Sequence, residues 1–290
     1  MSEQPGAHPQ MGAYFEPIAP GRYRPTEHAG GAWQADEIHF SPLGGLIVHV
    51  IDLHRAAAPG GTNGKELGRI SFDILGFLAA DDCEIRVDTI RPGRTIELIE
   101  ATVSIAGRPV VLARAWFIAT GDTTAIAGGE SVKLPSPDRS TPWPMVDTWP
   151  GGYVASLETR TLEPPLPGRG RAWLRSPVAL VAGEPSSGHA SFIALVDTAN
   201  GIAVRQPPTD WAYPNLDLTI HLHRQPTGNW VGLDTTVIFG PAGHGLTSSE
   251  LHDESGPVGR AEQILTLRPL RMPDSGAGQP EPAAGQASIS

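Results

Sequence analysis

Among residues placed to do chemistry, Asp197 stands out first, in the stretch His189–Gly201, HASFIALVDTANG. Nearly every position from Ala190 to Val196 is apolar, so no polar face is left for solvent; such a segment is buried all round, as helix or strand. Asn200-Gly201 supplies residues that tolerate left-handed backbone and end helices. The pattern predicts a buried helix with Asp197 near its C-terminus. There the helix dipole disfavours negative charge, and burial disfavours it further. A carboxylate so placed is expected to have a raised pKa, which is the profile of a general base. The alternative is an Asp that only closes its own terminal turn.

The elements that must position this residue occur twice. LGGLIVHVIDLHRAA (Leu43–Ala57) is a second apolar run ending in a carboxylate, Asp52, 197 − 52 = 145 residues before Asp197. SFDILGF (Ser71–Phe77) matches NLDLTIHL (Asn215–Leu222), with Asp73 and Asp217 at an offset of 217 − 73 = 144. GRPVVLARAWF (Gly107–Phe117) matches SGPVGRAEQIL (Ser255–Leu265), with Pro109 and Pro257 at 257 − 109 = 148. Three features in one order at a nearly constant offset indicate an internal duplication. After each buried helix, alternating polarity and β-branched residues predict strands. In the first half these are 69–77, 84–90, 95–104 and 110–118; in the second they are 215–223, 230–238, 246–252 and 258–267. Turn residues at Ala106–Pro109 and Glu254–Pro257 predict hairpins, hence antiparallel pairing around the helix. The expected organisation is a first domain over 12–127, a linker over 128–152 carrying five prolines, a second domain over 153–270 and a disordered tail over 271–290.

Composition removes several function classes. With 21 Lys+Arg against 31 Asp+Glu, the net charge of −10 argues against nucleic acid as the main partner. The single cysteine, Cys83, follows Asp81-Asp82, whose charges would raise a thiol pKa, and one thiol cannot form an internal disulfide. No apolar run is long enough to cross a bilayer. MSEQPGAHPQ lacks the basic and apolar regions of a signal peptide, so a cytoplasmic protein without membrane insertion is expected. His221 and His223 alternate on a strand and point to opposite faces, while His244 and His252 lack partners at ligand spacing. The glycines of Gly30–Trp33 and Pro59–Gly64 lack the strand–turn–helix context of a dinucleotide site. Neither a metal nor a cofactor is expected.

A buried helix wrapped by a curved antiparallel sheet and duplicated in tandem resembles the double hotdog fold, α+β in class. AWLRSPVALVAGEPSSGHASFIALVDTANG, NLDLTIHLHR and GPVGRAEQ resemble the second domain of the acyl-CoA thioesterase II family. RPGRTIELIEATVSIAGRPVVLARAWF resembles its first domain, and the similarity spans roughly Tyr14–Arg268. The resemblance implies hydrolysis of a fatty or related acyl-CoA by a water held between an Asp, a Thr and a Gln. These fall on Asp197, Asn215 and Gln263. Asn215 departs from the Thr of the family; it is longer and cannot rotate a single hydroxyl proton. The matching first-half residues are Asp52, Ser71 and Ala115. Because Ala115 offers no hydrogen bond, one working site per chain is expected. Backbone N–H groups near Ser187–Ala190, including Gly188 and His189, would stabilise the oxyanion. Arg91, Arg94, Arg224 and Arg260 are candidate contacts for coenzyme A phosphates. Two other readings use the same fold. One is a non-catalytic acyl-CoA binding protein; the other is an enoyl hydratase or dehydratase, which would want an Asp/His pair involving His49 or His189. A tandem chain is already a pseudo-dimer, and a further homodimer is compatible with it.

Overall fold

The computed structural model describes residues 12–31, 33–129 and 132–270; the tail expected beyond residue 270 lies outside the described residues. The first half holds β1 (Ala13–Ala19), β2 (Arg22–Pro25), α1 (Phe40–Ala57), β3 (Lys65–Ile74), β4 (Cys83–Arg91), β5 (Ile96–Ile105) and β6 (Arg108–Ala119). β7 (Thr141–Pro142) and α2 (Gly152–Ala155) lie between the halves. The second half holds β8 (Glu158–Thr161), β9 (Arg169–Arg175), β10 (Ala179–Val181), α3 (Gly188–Val196), α4 (Ala199–Ile202) and β11 (Trp211–Ala212). It closes with β12 (Asp217–Leu222), β13 (Val231–Phe239), β14 (His244–Asp253), β15 (Gly256–Thr266) and β16 (Arg268–Pro269).

Fourteen strands form one sheet, ordered β10-β1-β2-β4-β5-β6-β3-β12-β15-β14-β13-β9-β8-β7. Each long strand buries one face: β5 turns Ile99, Ala101, Val103 and Ile105 inward and leaves the alternating positions at the surface. Ala106 and Gly107 both take positive φ, 49° and 75°, the two-residue turn whose twist suits the β5–β6 hairpin. The inner faces close over α1 and α3, and one apolar core runs through both halves. This is a tandem double hotdog.

The duplication is more regular than motif matching suggests. β4, β5 and β6 begin at Cys83, Ile96 and Arg108, and β13, β14 and β15 begin at Val231, His244 and Gly256. Every pair is 148 residues apart (231 − 83, 244 − 96, 256 − 108). The N-caps of α1 and α3, His39 and Ser187, keep that spacing. At the junction of the halves β3 pairs antiparallel with β12, and Ser71 faces Thr219, again 219 − 71 = 148. The offsets of 145 and 144 expected from Asp52 and Asp73 are therefore corrected. The counterparts of Asp197, Asn215 and Gln263 are His49, Leu67 and Ala115, and not Asp52 and Ser71. Apolar runs slide by three or four residues without losing similarity, because a helical face repeats at that interval; hydrogen-bond ladders do not slide.

Three further differences concern element ends. Asn200-Gly201 does not stop the buried helix: α3 ends at Val196, and both residues lie within the short α4. Strands β1, β2, β8, β9 and β10 lack a readable alternation, since Pro17 interrupts β1 and β10 has three residues. β10 adds in parallel to β1, tying the second half to the first. The stretch between the halves packs on the molecule. Trp149 donates its indole N–H to Gly201 O at 3.0 Å, and Trp33 meets the Trp149 ring edge-on at 4.9 Å.

α1 and α3 run antiparallel. His39, capping α1, stands beside Asp197 at the end of α3, while Ser187, capping α3, donates to Asp52 in the later turns of α1 at 2.7 Å. Their crossing is set by Gly45. A Cβ there would lie 2.5 Å from Ala194 Cβ and 2.9 Å from Ala190 O, whereas one at Gly44 would make ordinary contacts with the Phe40 ring at 3.6 Å and Ile193 Cγ2 at 3.9 Å. Gly45→Ala should therefore cost about 1–3 kcal/mol by forcing the helices apart. Gly44→Ala should be neutral or slightly stabilising through helix propensity. Thermal melts of the two variants against the parent check this, and equal midpoints would mean that the helices yield freely.

Candidate active site

Asp197 is the C-cap of α3, with φ −63° and ψ −14°. It is 7% exposed. Asn215 Nδ2 and Gln263 Nε2 both donate to its Oδ1, at 2.8 and 2.7 Å. The three residues come from the end of α3, the entry to β12 and the inner face of β15. Burial is the main influence on the carboxyl and raises its pKa to about 6, against the two amide donors, which lower it. The donors are neutral, so they orient the carboxylate without cancelling its charge. Near pH 6 such a group takes up or gives up a proton readily.

Both side chains aimed at Asp197 are set by strand geometry. Gln263 points inward by simple alternation along β15, where Ala261 and Leu265 are also buried. Asn215 reaches the same space because the ladder between β12 and β15 slips by one residue: Thr219 pairs with Glu262, but Asn215 pairs with Leu265. Gln263 Oε1 is buried with no partner among the described residues. A buried amide oxygen of this kind calls for a donor from water or ligand.

The other oxygen of Asp197, Oδ2, faces His39 Nδ1 at 4.0 Å. His39 is a residue that sequence reasoning missed, and its only signal was its place just before the apolar helix. Its Nδ1 accepts the Ser41 N–H at 3.1 Å, capping α1, and its ring stacks on Tyr153 with centroids 4.2 Å apart. Burial pushes its pKa down to about 3. The ring is neutral at physiological pH, with the proton on Nε2, and Asp197 therefore has no cationic partner there. Around them Tyr153 Oη lies 2.7 Å from Thr198 Oγ1 and donates to Ala194 O at 3.2 Å. Ser41 Oγ lies 3.4 Å from Thr198 Oγ1. The start of α1 and the end of α3 thus form one polar knot under the site.

The expected oxyanion donors lie elsewhere. Ser187, Gly188, His189 and Ala190 are at the N-terminus of the nine-residue α3, and lie about 10–15 Å from Asp197 at 1.5 Å per residue along the helix. His189 Nε2 is 3.1 Å from Asp52 Oδ1. The Asp/His pair considered for a hydratase thus forms at the opposite end of the helices from Asp197. Because α1 and α3 are antiparallel, the helix N-terminus beside Asp197 is that of α1, capped by His39.

None of the four singled-out arginines, Arg91, Arg94, Arg224 and Arg260, approaches Asp197 in any observed contact. Arg224 grips Asp253 with Nη1 at 2.5 Å and Nη2 at 2.6 Å, and donates to Pro257 O and Gly256 O at 3.0 and 2.9 Å. Its donors are spent on the β14–β15 turn. Burial opposes ionisation of Asp253, but Arg224 and the Thr227 and Ser255 amides outweigh it and hold the carboxyl at about 2. Arg260 is a surface charge, 72% exposed and 3.8 Å from Glu250. It lines an open depression of about 430 Å³ with Lys133 and Arg171. Arg91 donates to Ile96 O at 3.2 Å. Cys83 is buried, and burial above all raises its thiol to about 12, so it is inert. No cluster of metal-ligating side chains occurs among the described residues, and no helix among them is long and apolar enough to cross a membrane.

Comparison with known proteins agrees with this architecture. Residues 30–118 match the family model of the acyl-CoA thioesterase N-terminal domain, and residues 137–267 match that of the acyl-CoA thioesterase C-terminal domain. No curated protein sequence matches the chain. Among solved structures, a hot dog fold protein of unknown function from Alicyclobacillus acidocaldarius superposes with TM-score 0.67 at 12% identity, over 85% of this chain and 93% of that one. The acyl-CoA thioesterase II TesB2 of Mycobacterium marinum gives 0.62 at 15% identity, over 92% and 97%. The tesB protein of Mycobacterium avium subs paratuberculosis gives 0.60 at 18%, over 88% and 96%. At these identities the superpositions speak for the shared fold, and the two domain matches carry the assignment. With both domains in tandem order over most of its length, the chain belongs to the acyl-CoA thioesterase family and is a thioester hydrolase.

Proposed function

We propose that the chain hydrolyses a fatty or related acyl-CoA to the free acid and coenzyme A, with Asp197 as general base on water. The observation that carries this reading is the buried carboxylate of Asp197, held on one oxygen by Asn215 and Gln263 and raised to about 6. Asp197 takes a proton from water as the oxygen attacks the thioester carbonyl carbon. The tetrahedral intermediate then expels the coenzyme A sulfur. A thiol has a pKa near 8.5, so the thiolate leaves without a strong acid, and the proton on Asp197 returns to solvent. Gln263, through its unpaired buried Oε1, accepts from the same water and helps to fix its direction. Negative charge on the carbonyl oxygen is stabilised by the field of the α1 N-terminus, the helix end that meets Asp197.

The departure at Asn215 is compatible with this role. Its amide gives one hydrogen to Asp197 and another to Asp217 O at 3.0 Å, so its orientation is fixed at both ends. The first half cannot repeat the chemistry, since Leu67 and Ala115 replace the two amides. His49, in the place of Asp197, is committed to Glu184 at 2.8 Å.

Three outcomes check the proposal. In a thiol-release assay across acyl-CoA chain lengths, Asp197→Asn should lose on the order of 10²–10⁴ in turnover. Asp52→Asn, at the other end of the helices, should stay near the parental rate; the reverse pattern would sink the assignment. The pH profile of kcat/KM should fall below about pH 6 as Asp197 takes up its proton, with a flat acid side in Asp197→Asn. Stability should run the other way. The native carboxyl, at about 6, binds its proton more tightly than the unfolded one, near 3.9. The parent therefore loses stability as pH rises from about 4 to about 6, by about 3 kcal/mol for two pKa units. Asp197→Asn should melt above the parent at pH 8, with the gap closing toward pH 4. A constant gap across that range would mean that Asp197 is not perturbed by burial.

A further inference from the structure

The slip that turns Asn215 inward has a definite cause. Asn215 faces Leu265, Leu216 N donates to Ile264 O at 3.0 Å, and Thr219 faces Glu262. Between Asn215 and Thr219 the strand thus carries three residues, Leu216, Asp217 and Leu218, against the two residues Gln263 and Ile264, which is a β-bulge. Because of it, Asn215 and Leu218 face the interior together, although their odd spacing would put them on opposite faces of a regular strand. A bulge leaves one ladder amide without a backbone acceptor. Here that amide is Ile264 N–H, and Asp217 Oδ1 accepts it at 2.7 Å. The backbone carbonyl of the same Asp217 accepts from Asn215 Nδ2 at 3.0 Å. One residue thus closes the ladder with its side chain and anchors Asn215 with its main chain.

The carboxylate is not there for its own stability. Asp217 is directly opposite Asp73 across β3–β12, and burial together with that like charge raises its pKa against the pull of the Ile264 amide. In the first half the ladder slips at the equivalent point, between Leu67 and Arg69 around Gly68. There the counterpart of Asp217 is Arg69, and the inward side chain is the apolar Leu67. The bulge is common to both copies, whereas the carboxylate is present only where an amide must be aimed.

We infer that Asp217 is a positioning residue of the thioesterase site, whose carboxylate pins the bulge that aims Asn215 at Asp197. This inference rests on the reading of Asp197 as the base. Asp217→Ala removes the acceptor, so the bulge relaxes and the Asn215 amide leaves Asp197. Turnover should fall at least tenfold at little-changed KM. The acid limb of the pH profile should move above that of the parent, because a donor that lowers the pKa of Asp197 has been lost. Asp217→Asn keeps an acceptor oxygen and removes the repulsion with Asp73; it should keep turnover within about twofold and melt higher than the parent. Asp217→Glu keeps the charge but moves it by one methylene, and should behave as Asp217→Ala. If Asp217→Ala does not fold, as judged by circular dichroism, the contrast between the Asn and Glu variants decides. Parental turnover with an unmoved limb in a folded Asp217→Ala, or equal losses in the Asn and Glu variants, overturns the inference. Failure of the base reading is separate, since it shows as undiminished turnover in Asp197→Asn.

Discussion

The close approach of two antiparallel helices at Gly45 is the contact on which the site rests. With no Cβ on that residue, the α1 backbone comes up against the Ala190 carbonyl and the Ala194 methyl of α3. The approach brings the start of α1 against the end of α3 and removes water from both. Asp197 is buried because of it, and burial raises its pKa. The same contact places the N-terminal dipole of α1, rather than that of α3, beside the carboxylate. A wider crossing would hydrate Asp197 and return it toward an ordinary carboxylate.

Keeping that carboxylate costs stability, and the surroundings are arranged so that the cost is not cancelled. Arg224 on Asp253 shows what a cation does in this protein: a bidentate pair holds that carboxyl at about 2. Asp197 instead has two neutral amides on one oxygen and, across the other, a histidine that burial keeps uncharged. A guanidinium in place of either amide would fix the carboxylate more firmly and make it a poor base. The unpaired Gln263 Oε1 belongs to the same logic, because an acceptor satisfied within the protein has nothing left for water or ligand.

Duplication explains how one scaffold carries the Asp197–Asn215–Gln263 cluster in one half and not in the other. Strands, hairpin turns, helix caps and even the bulge recur at 148 residues. Side chains at the aligned positions diverged into His49, Leu67 and Ala115 in one copy and Asp197, Asn215 and Gln263 in the other. The first copy spends its helix on stability, with His49 bonded to Glu184 and Asp52 to Ser187 and His189. Both copies share one sheet through β3 and β12, so the copy without the site still supports the wall on which the site stands.

Much of this was legible in the sequence, for local reasons. Apolar saturation of Ala190–Val196 marked a buried helix, alternating polarity marked the eight long strands, and Gly-Pro turns marked the hairpins. The tandem order of these signals carried the family resemblance, and with it Asp197, Asn215 and Gln263. The sequence left undetermined whatever depends on contacts between segments far apart in the chain. The 148-residue spacing was hidden because apolar runs tolerate slippage, whereas ladder hydrogen bonds do not. Gly188 and His189 seemed close to Asp197 because they share its helix, yet a helix is a rigid rod that separates its ends. Arg224 looked free because nothing near it in sequence shows Asp253 folding back to meet it. His39 and Asp217 carried no local sign of a role, since a cap becomes part of a site only when another helix arrives beside it, and a bulge exists only between two strands. The sequence by itself determined which segments are buried and in what order; the tertiary structure decided which ends meet, because helix crossing and strand register are fixed by contacts that no single segment contains.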